Sequence, residues 1–362
     1  MRRKTAALAC ALLIGLLMLG GCGEQKKPAP APRAEAEAET TAAQETAAVQ
    51  ETEAGETVPN VKQTRTGFYL DTVITLTAYT NHPEWLEEGL QACGEYEKLL
   101  SRTIEGSDVW KLNHAEGQPV TVNEATAEIL REAVQIGGLS EGAFDVTIAP
   151  ASVLWDFRSG EGKVPDAAAL AEAAAKIDYR KIQMDGLQVT LPAGMMIDLG
   201  GIAKGYIADA VKAKLEKKGI RSAILSFGGN IVAIGLKPDG SPWRVGIQDI
   251  DQPTGVSMMV AKNTGGSTVT SGIYERGFEQ DGVYYHHILS AETGWPVQNE
   301  LASVTIFSES SMTGDALATA AFALGSEKGL ALIESMEGIE AVFVARDRTV
   351  IYSSGAEELM TQ

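Results

Sequence analysis

Residues Met195–Asp209 read MMIDLGGIAKGYIAD, and the rest of the chain is arranged around them. Met195, Met196 and Ile197 form a short apolar run that predicts a buried strand, with Asp198 following as a capping residue. Gly200 and Gly201 then lead into a helix whose apolar positions, Ile202, Tyr206, Ile207, Ala210 and Val211, recur at spacings of three and four. A strand, a glycine pair and a helix start aim backbone N–H groups and a positive dipole end at an anion. Lys204 adds a charge there. The same pattern also makes a tight strand-to-helix turn whose glycines serve packing alone, and this stretch by itself leaves both readings open.

On the C-terminal side the helix closes at Lys217-Lys218-Gly219, cations followed by glycine, as a helix end prefers. Ala223–Phe227 reads as a buried strand ending in Gly228-Gly229-Asn230, a second glycine pair set to face the first. Ile231–Gly235 and Trp243–Gln248 continue as strands, so the middle of the chain reads β-α-β-β, with no internal repeat of fixed period. On the N-terminal side, 181–191 carries a hairpin signal at Asp185-Gly186, and 166–176 is an alanine-rich helix. Asn123-Glu124 opens a helix that stops at Gly137-Gly138, and a further helix covers 85–100. The β-rich run 68–80 predicts a sheet strand buried on both sides. Together these give a mixed α/β (α+β) fold, with central sheets flanked by helices, that begins near Thr64.

The 362 residues are 44% hydrophobic and 22% charged, enough apolar material for a full core. A net charge of −18 argues against a nucleic-acid partner, since phosphate binding needs Lys and Arg in excess. An anionic ligand must then be held by local groups or by a cation. Arg2, Arg3 and Lys4 precede an apolar run to Leu19, a secretory signal over residues 1–21. It ends Leu19-Gly20-Gly21-Cys22, similar to a bacterial lipobox. Acylation of Cys22 would make it the mature N-terminus, lipid-anchored on the extracytoplasmic side of the cell membrane, where several acyl chains suffice for attachment. Residues 22–62 are Ala, Glu, Thr, Gln and Pro with almost no large apolar side chain, which predicts a disordered acidic tether. The folded domain is then 63–356. With Cys10 removed and Cys22 lipidated, Cys93 alone remains; on its apolar helical pattern it reads as a small buried hydrophobe.

Three stretches carry candidate chemistry. Gly142–Phe157 places Asp145 inside an apolar run, where a carboxylate needs a partner or caps a turn. In 284–296, YYHHILSAETGWP, His286 and His287 are adjacent, so on a strand they point to opposite faces and one of them can serve a site as a base. In 312–325, MTGDALATAAFALG, Asp315 and Thr319 lie one helical turn apart on one face. Such a pair offers hard oxygen donors to Mg²⁺; alternatively Asp315 caps the helix and Thr319 bonds back to its carbonyl.

In order along the chain, SRTIEGSDVWKLN, GAFDVTIAP with LWDF, IDLGGIAKGYIAD, ILSFGGN, TVTSGIYER, HHILSAETGWPV and GDALATAAFALG resemble the ApbE family, the FAD:protein FMN transferases, from about Thr66 to Ser353. The resemblance implies a Mg²⁺-dependent enzyme that transfers the FMN half of FAD to a Thr or Ser hydroxyl of a target protein, as a phosphoester, releasing AMP. It implies metal ligands from the side chains of Asp315 and Thr319 and the main-chain oxygen of Ala203. Flavin nucleotide contacts would come from Ala143, Phe144, Asp145, Gly200, Lys204, Ile288 and Leu289, with Ser107, Asp108 and Asn113 near the nucleotide. His287 would be the base, and the acceptor an extracytoplasmic or membrane electron-transfer flavoprotein. Two positions depart from the family pattern: Ser290-Ala291 stands where Asp-Pro is usual, and Thr103 where an aromatic is common. FAD hydrolysis to FMN and AMP, and flavin binding without chemistry, are the alternatives.

Overall fold

The computed structural model describes residues 49–51, 57–157 and 162–361, with side chains from Asn60 onward. The expected signal segment, Cys22 and most of the tether lie outside the described residues. Where composition predicts disorder up to residue 62, Val49–Glu51 pairs antiparallel with Thr57–Pro59, a pairing that suits the β-branched Val49, Thr57 and Val58. Lys62 already stands in the main sheet.

That sheet has eight strands, Lys62–Tyr69 (β1), Thr72–Tyr79 (β2), Ala223–Phe227 (β3), Asn230–Ile234 (β4), Gly266–Gly272 (β5), Leu301–Ser308 (β6), Glu340–Ala345 (β7) and Val350–Tyr352 (β8). They lie side by side in chain order, every pair antiparallel. The run expected as one strand at 68–80 is a hairpin. Leu70 and Asp71 both take positive φ, 55° and 57°, the turn that matches strand twist. Leucine is costly in that region, and the Leu70 N–H is held by Glu97 at 2.8 Å. Nor is β2 buried on both sides. Ile74, Leu76 and Ala78 are fully buried on one face, while Val73, Thr75 and Thr77 alternate on the open one, as an antiparallel sheet with one covered face requires.

The covered face carries the helices Pro83–Leu100 (α1), Ala203–Lys217 (α2) and Ser311–Glu334 (α3). Their apolar stripes close one core with β2 to β7, in which Phe227, Phe322 and Phe343 have no exposed area. Each such side chain contributes about 1.5–3 kcal/mol by burial. By length and composition α3 could cross a membrane, but it is broken at Gly325 (φ 80°, ψ 172°), and its apolar residues are spent on the core. The opposite face is covered at one end by a separate hairpin, Trp243–Gln248 with Ser257–Asn263, through Ile247, Ala261, Phe307, Val342 and Val344. Cys93 is buried, its thiol pushed up to about 12 by burial and donating to the Gly89 carbonyl.

Candidate active site

The run Met195–Ile197 forms no sheet strand. Its backbone is satisfied from elsewhere: the Asn113 side-chain amide accepts from Ile197 N at 2.7 Å and donates to Ile197 O at 2.9 Å, and Asp198 N donates to Val146 O at 2.8 Å. One buried amide thus does what a neighbouring strand would do. Asp198 is not the helix cap either. Its Oδ1 accepts from Gly200 N at 2.9 Å and its Oδ2 pairs with Arg102 Nε at 2.8 Å, while α2 starts at Ala203 without a side-chain cap.

The anion that meets the start of α2 comes from the protein. Asp315, on the second turn of α3 and almost fully buried, accepts from Gly205 N at 2.9 Å through Oδ2, and its Oδ1 stands 3.6 Å from Lys204 Nζ. The exchange is mutual. Asp209 on α2 accepts from Ser311 N, Met312 N and Ser310 Oγ, each at 2.9 Å, at the start of α3. The two helix starts cross so closely that a Cβ on Gly205 would lie 2.1 Å from the Ser311 carbonyl oxygen. Each helix N-terminus therefore takes its carboxylate from the other helix.

Around this crossing the side chains converge. Lys204 Nζ donates to Asn230 Oδ1 at 2.9 Å from the start of β4, which joins the two glycine-pair segments as expected. The buried Nδ2 of Asn230 has no protein partner. Thr319 Oγ1 makes only long contacts, 3.4 Å to Ser271 Oγ and 3.4 Å to Asp315 O; the back-bond is present but weak. Gly201 has no side chain to fill the space beside it, where a Cβ would stand 3.5 Å from Thr319 Oγ1 and 3.2 Å from the Phe144 ring. Among the described residues no three His, Cys, Asp or Glu gather as a metal cluster. A divalent cation would have to be held as the donors here suggest, by the Asp315 carboxylate, the Thr319 hydroxyl and the Ala203 carbonyl, all hard oxygens.

The two histidines separate cleanly. His286 is buried edge-on to Phe322, its Nε2 3.1 Å from Val297 O, and burial holds it down at about 4. His287 is half-buried and keeps some solvent access. Its Nδ1 lies 3.2 Å from the Arg276 carbonyl, an acceptor only, so Nδ1 carries the proton and Nε2 keeps its lone pair. Burial above all, then the charges of Arg276, His286 and Lys204, hold it near 4 against that hydrogen bond. It is neutral at pH 7. Glu275, one residue from Arg276, is exposed, with its carboxylate close to Gly229, where a Cβ would lie 2.9 Å from Oε1.

Other expected site residues are engaged in scaffolding. Both oxygens of Asp108 are occupied, by Asn123 N at 2.6 Å and Thr126 Oγ1 at 3.0 Å on Oδ2, and by Lys111 at 3.4 Å on Oδ1. Ser107 caps the helix Asp108–Asn113 through Trp110 N. Asp145 takes Thr147 N, Thr147 Oγ1 and Tyr179 N, which satisfies its buried carboxylate as a turn cap, and its carboxyl is pushed up by burial. Ala143, before Phe144 in the chain, is half-buried, and Gly200, before Gly201, is exposed. Ile288 and Leu289 bury their side chains, Leu289 in the cluster of Trp155, while Ile288 O accepts from Val297 N at 3.0 Å and Leu289 pairs with Pro296. Asn230, Glu275 and Asp209 belong to the site although motif reading passed over them. Asp209 had a signal: an acid three residues beyond Tyr206, on the buried stripe of α2.

The model of the ApbE family matches residues 70–343. The chain belongs to the ApbE family. Among curated family members, the FAD:protein FMN transferase of Treponema pallidum is 37% identical over 287 residues, 75% of this chain and 79% of that protein. The FAD:protein FMN transferase of Klebsiella pneumoniae is 35% identical over 285 residues, 78% and 88% of the two chains. Of solved family structures, the ApbE protein of Thermotoga maritima superposes with a TM-score of 0.78 at 30% identity, covering 83% of this chain and all of the other. The flavinyl transferase ApbE of Pseudomonas stutzeri does so with a TM-score of 0.74 at 31% identity, covering 83% and 97%.

Proposed function

We propose that this chain is an FAD:protein FMN transferase, working on the extracytoplasmic side of a membrane to which acylated Cys22 anchors it. The observation that supports the reading is the crossing of the two helix starts, where Lys204 and Asp315 meet one turn from Thr319 and next to the Ala203 backbone, with the charge of Lys204 acting on His287, in a chain of this family. Asp315, Thr319 and Ala203 O would hold Mg²⁺. When bound, that ion would neutralise charge on the FAD diphosphate. Lys204 draws the diphosphate in and opposes the charge that grows on it during transfer. Phe144 and the backbone of Ile288 and Leu289 bound the flavin side.

The Nε2 lone pair of His287 accepts the proton of an acceptor Thr or Ser hydroxyl. That oxygen bonds to the FMN phosphorus, the bond from this phosphorus to the bridging oxygen breaks, and AMP leaves. The acceptor is a protein of an extracytoplasmic or membrane electron-transfer system. The test is incubation of the purified protein with FAD, Mg²⁺ and an acceptor domain, followed by in-gel flavin fluorescence. A fluorescent acceptor that fails to form with Asp315→Ala supports the reading. FMN released at one rate with or without acceptor would replace it by hydrolysis.

A further inference from the structure

We propose that Asp209 is a positioning residue for the cation site: by gripping the start of α3 from α2, it sets the spacing between the Ala203 carbonyl and the Asp315–Thr319 pair. The inference rests on the reading of those three groups as cation ligands. The ligands Ala203 and Asp315 stand on two helices, more than a hundred positions apart in the chain, so no local geometry fixes the gap across which a cation would sit. Two carboxylates bridge that gap in opposite senses. Asp315 reaches from α3 to Gly205 N, and Asp209 reaches from α2 to Ser311 N, Met312 N and Ser310 Oγ.

The division of labour follows from what else each acid does. Asp315 gives Oδ2 to Gly205 N and keeps Oδ1 3.6 Å from Lys204, so as a ligand it would have that oxygen to share. Asp209 is half-buried, lies one and a half turns further along α2, and spends both oxygens on backbone donors of α3. It therefore holds the crossing whether or not Asp315 also binds an ion. Gly205 permits the approach, and Asp209 fixes it. Groups that orient ligands from behind in this way typically cost 10–100-fold in metal affinity when replaced.

Asp209→Asn tests this. The amide keeps the shape but turns one acceptor into a donor facing backbone N–H groups. Mn²⁺ binding is measured without FAD, by electron paramagnetic resonance on the full mature protein, beside Ser310→Ala, which removes one donor from Asp209 and the α3 cap to Thr313 N but leaves both backbone bonds to Asp209. The expected result is about 10–100-fold weaker Mn²⁺ binding by folded Asp209→Asn, with Ser310→Ala lowering the melting temperature while binding Mn²⁺ as the parent does. Equal Mn²⁺ affinity in Asp209→Asn and the parent overturns the inference, leaving Asp209 a stabilising cap. Failure of the parent to bind Mn²⁺ would instead sink the cation reading itself. If Asp209→Asn does not fold, amide exchange in the parent decides: Mg²⁺ should slow exchange at Ser311 and Met312 together with Gly205, and protection confined to Gly205 refutes the coupling.

Discussion

Acidification separates an ordinary imidazole base from the one this fold builds. His287 sits where burial, helped by Arg276, His286 and Lys204, keeps it near 4, whereas an unperturbed histidine titrates near 6.5. At pH 5.5 the ordinary group would be about 90% protonated and useless as a base, while a group at about 4 stays about 97% neutral. The kcat/KM for acceptor, with FAD and Mg²⁺ saturating, should therefore hold within about a tenth from pH 7.5 to 5.5 and bend only near 4. Bound diphosphate and bound cation bring opposite charges, so their joint effect on the imidazole is small beside its desolvation. The assay is the initial rate of fluorescent acceptor formation at constant ionic strength, with FAD occupancy followed separately. A roughly tenfold fall by pH 5.5, with the bend near 6.5, would refute the claim that the half-buried His287 is the base. Lys204→Met supplies the sign: removing a cation eases protonation, so the bend should move upward even though the variant also binds FAD more weakly.

Gly205→Ala places a Cβ 2.1 Å from the Ser311 carbonyl oxygen and should cost about 1–3 kcal/mol in urea unfolding, as overpacking does. Asn113→Ala orphans the buried N–H and C=O of Ile197, at about 1–3 kcal/mol for each group, and should weaken FAD binding by loosening the turn before α2; unchanged stability would show that water replaces the amide. His286 makes stability depend on pH. The unfolded chain takes its proton near 6.5 and the folded chain only near 4, so stability present above 6.5 is lost as pH falls through that window, by about 3 kcal/mol. His286→Leu should flatten that part of the profile, as read by urea unfolding at pH 7 and pH 4.5.

How far the sequence carried depends on which interactions were local. Helices were legible, because an apolar stripe repeats within the segment: the cap at Asn123, which accepts from Ala125 N, and the closure of α2 at Lys217 fall where the pattern puts them. Strand partners were not, since register depends on residues far apart in the chain. The hairpin at Leu70-Asp71 lacks the Asn or Gly that announces such a turn, and its conformation leans on Glu97 in another element. Met195–Ile197 looks like a strand because its side chains are buried, but burial does not say which group satisfies the backbone, and here it is the amide of Asn113.

The same distinction explains the site. Residue types at Lys204, Asp315 and His287 announced their chemistry, whereas Asp209 offered only its place on the buried stripe of α2, which does not say that its partners are the backbone N–H groups of Ser311 and Met312. The glycine pair and helix start left a seat for a ligand anion and a packing turn both open, and at that helix start the N–H of Gly205 is taken by Asp315. That has an electrostatic consequence. At the crossing Lys204 faces the Asp315 carboxylate at 3.6 Å, and Asp209 adds a second acid to the same crossing, in a chain of net charge −18. Lys204 alone thus leaves no surplus of positive charge to attract a diphosphate. In the proposed reaction a divalent cation on Asp315 would reverse that balance and free Lys204 for the ligand, which accounts for a transferase site built with one carboxylate ligand and one lysine rather than with a cluster of either.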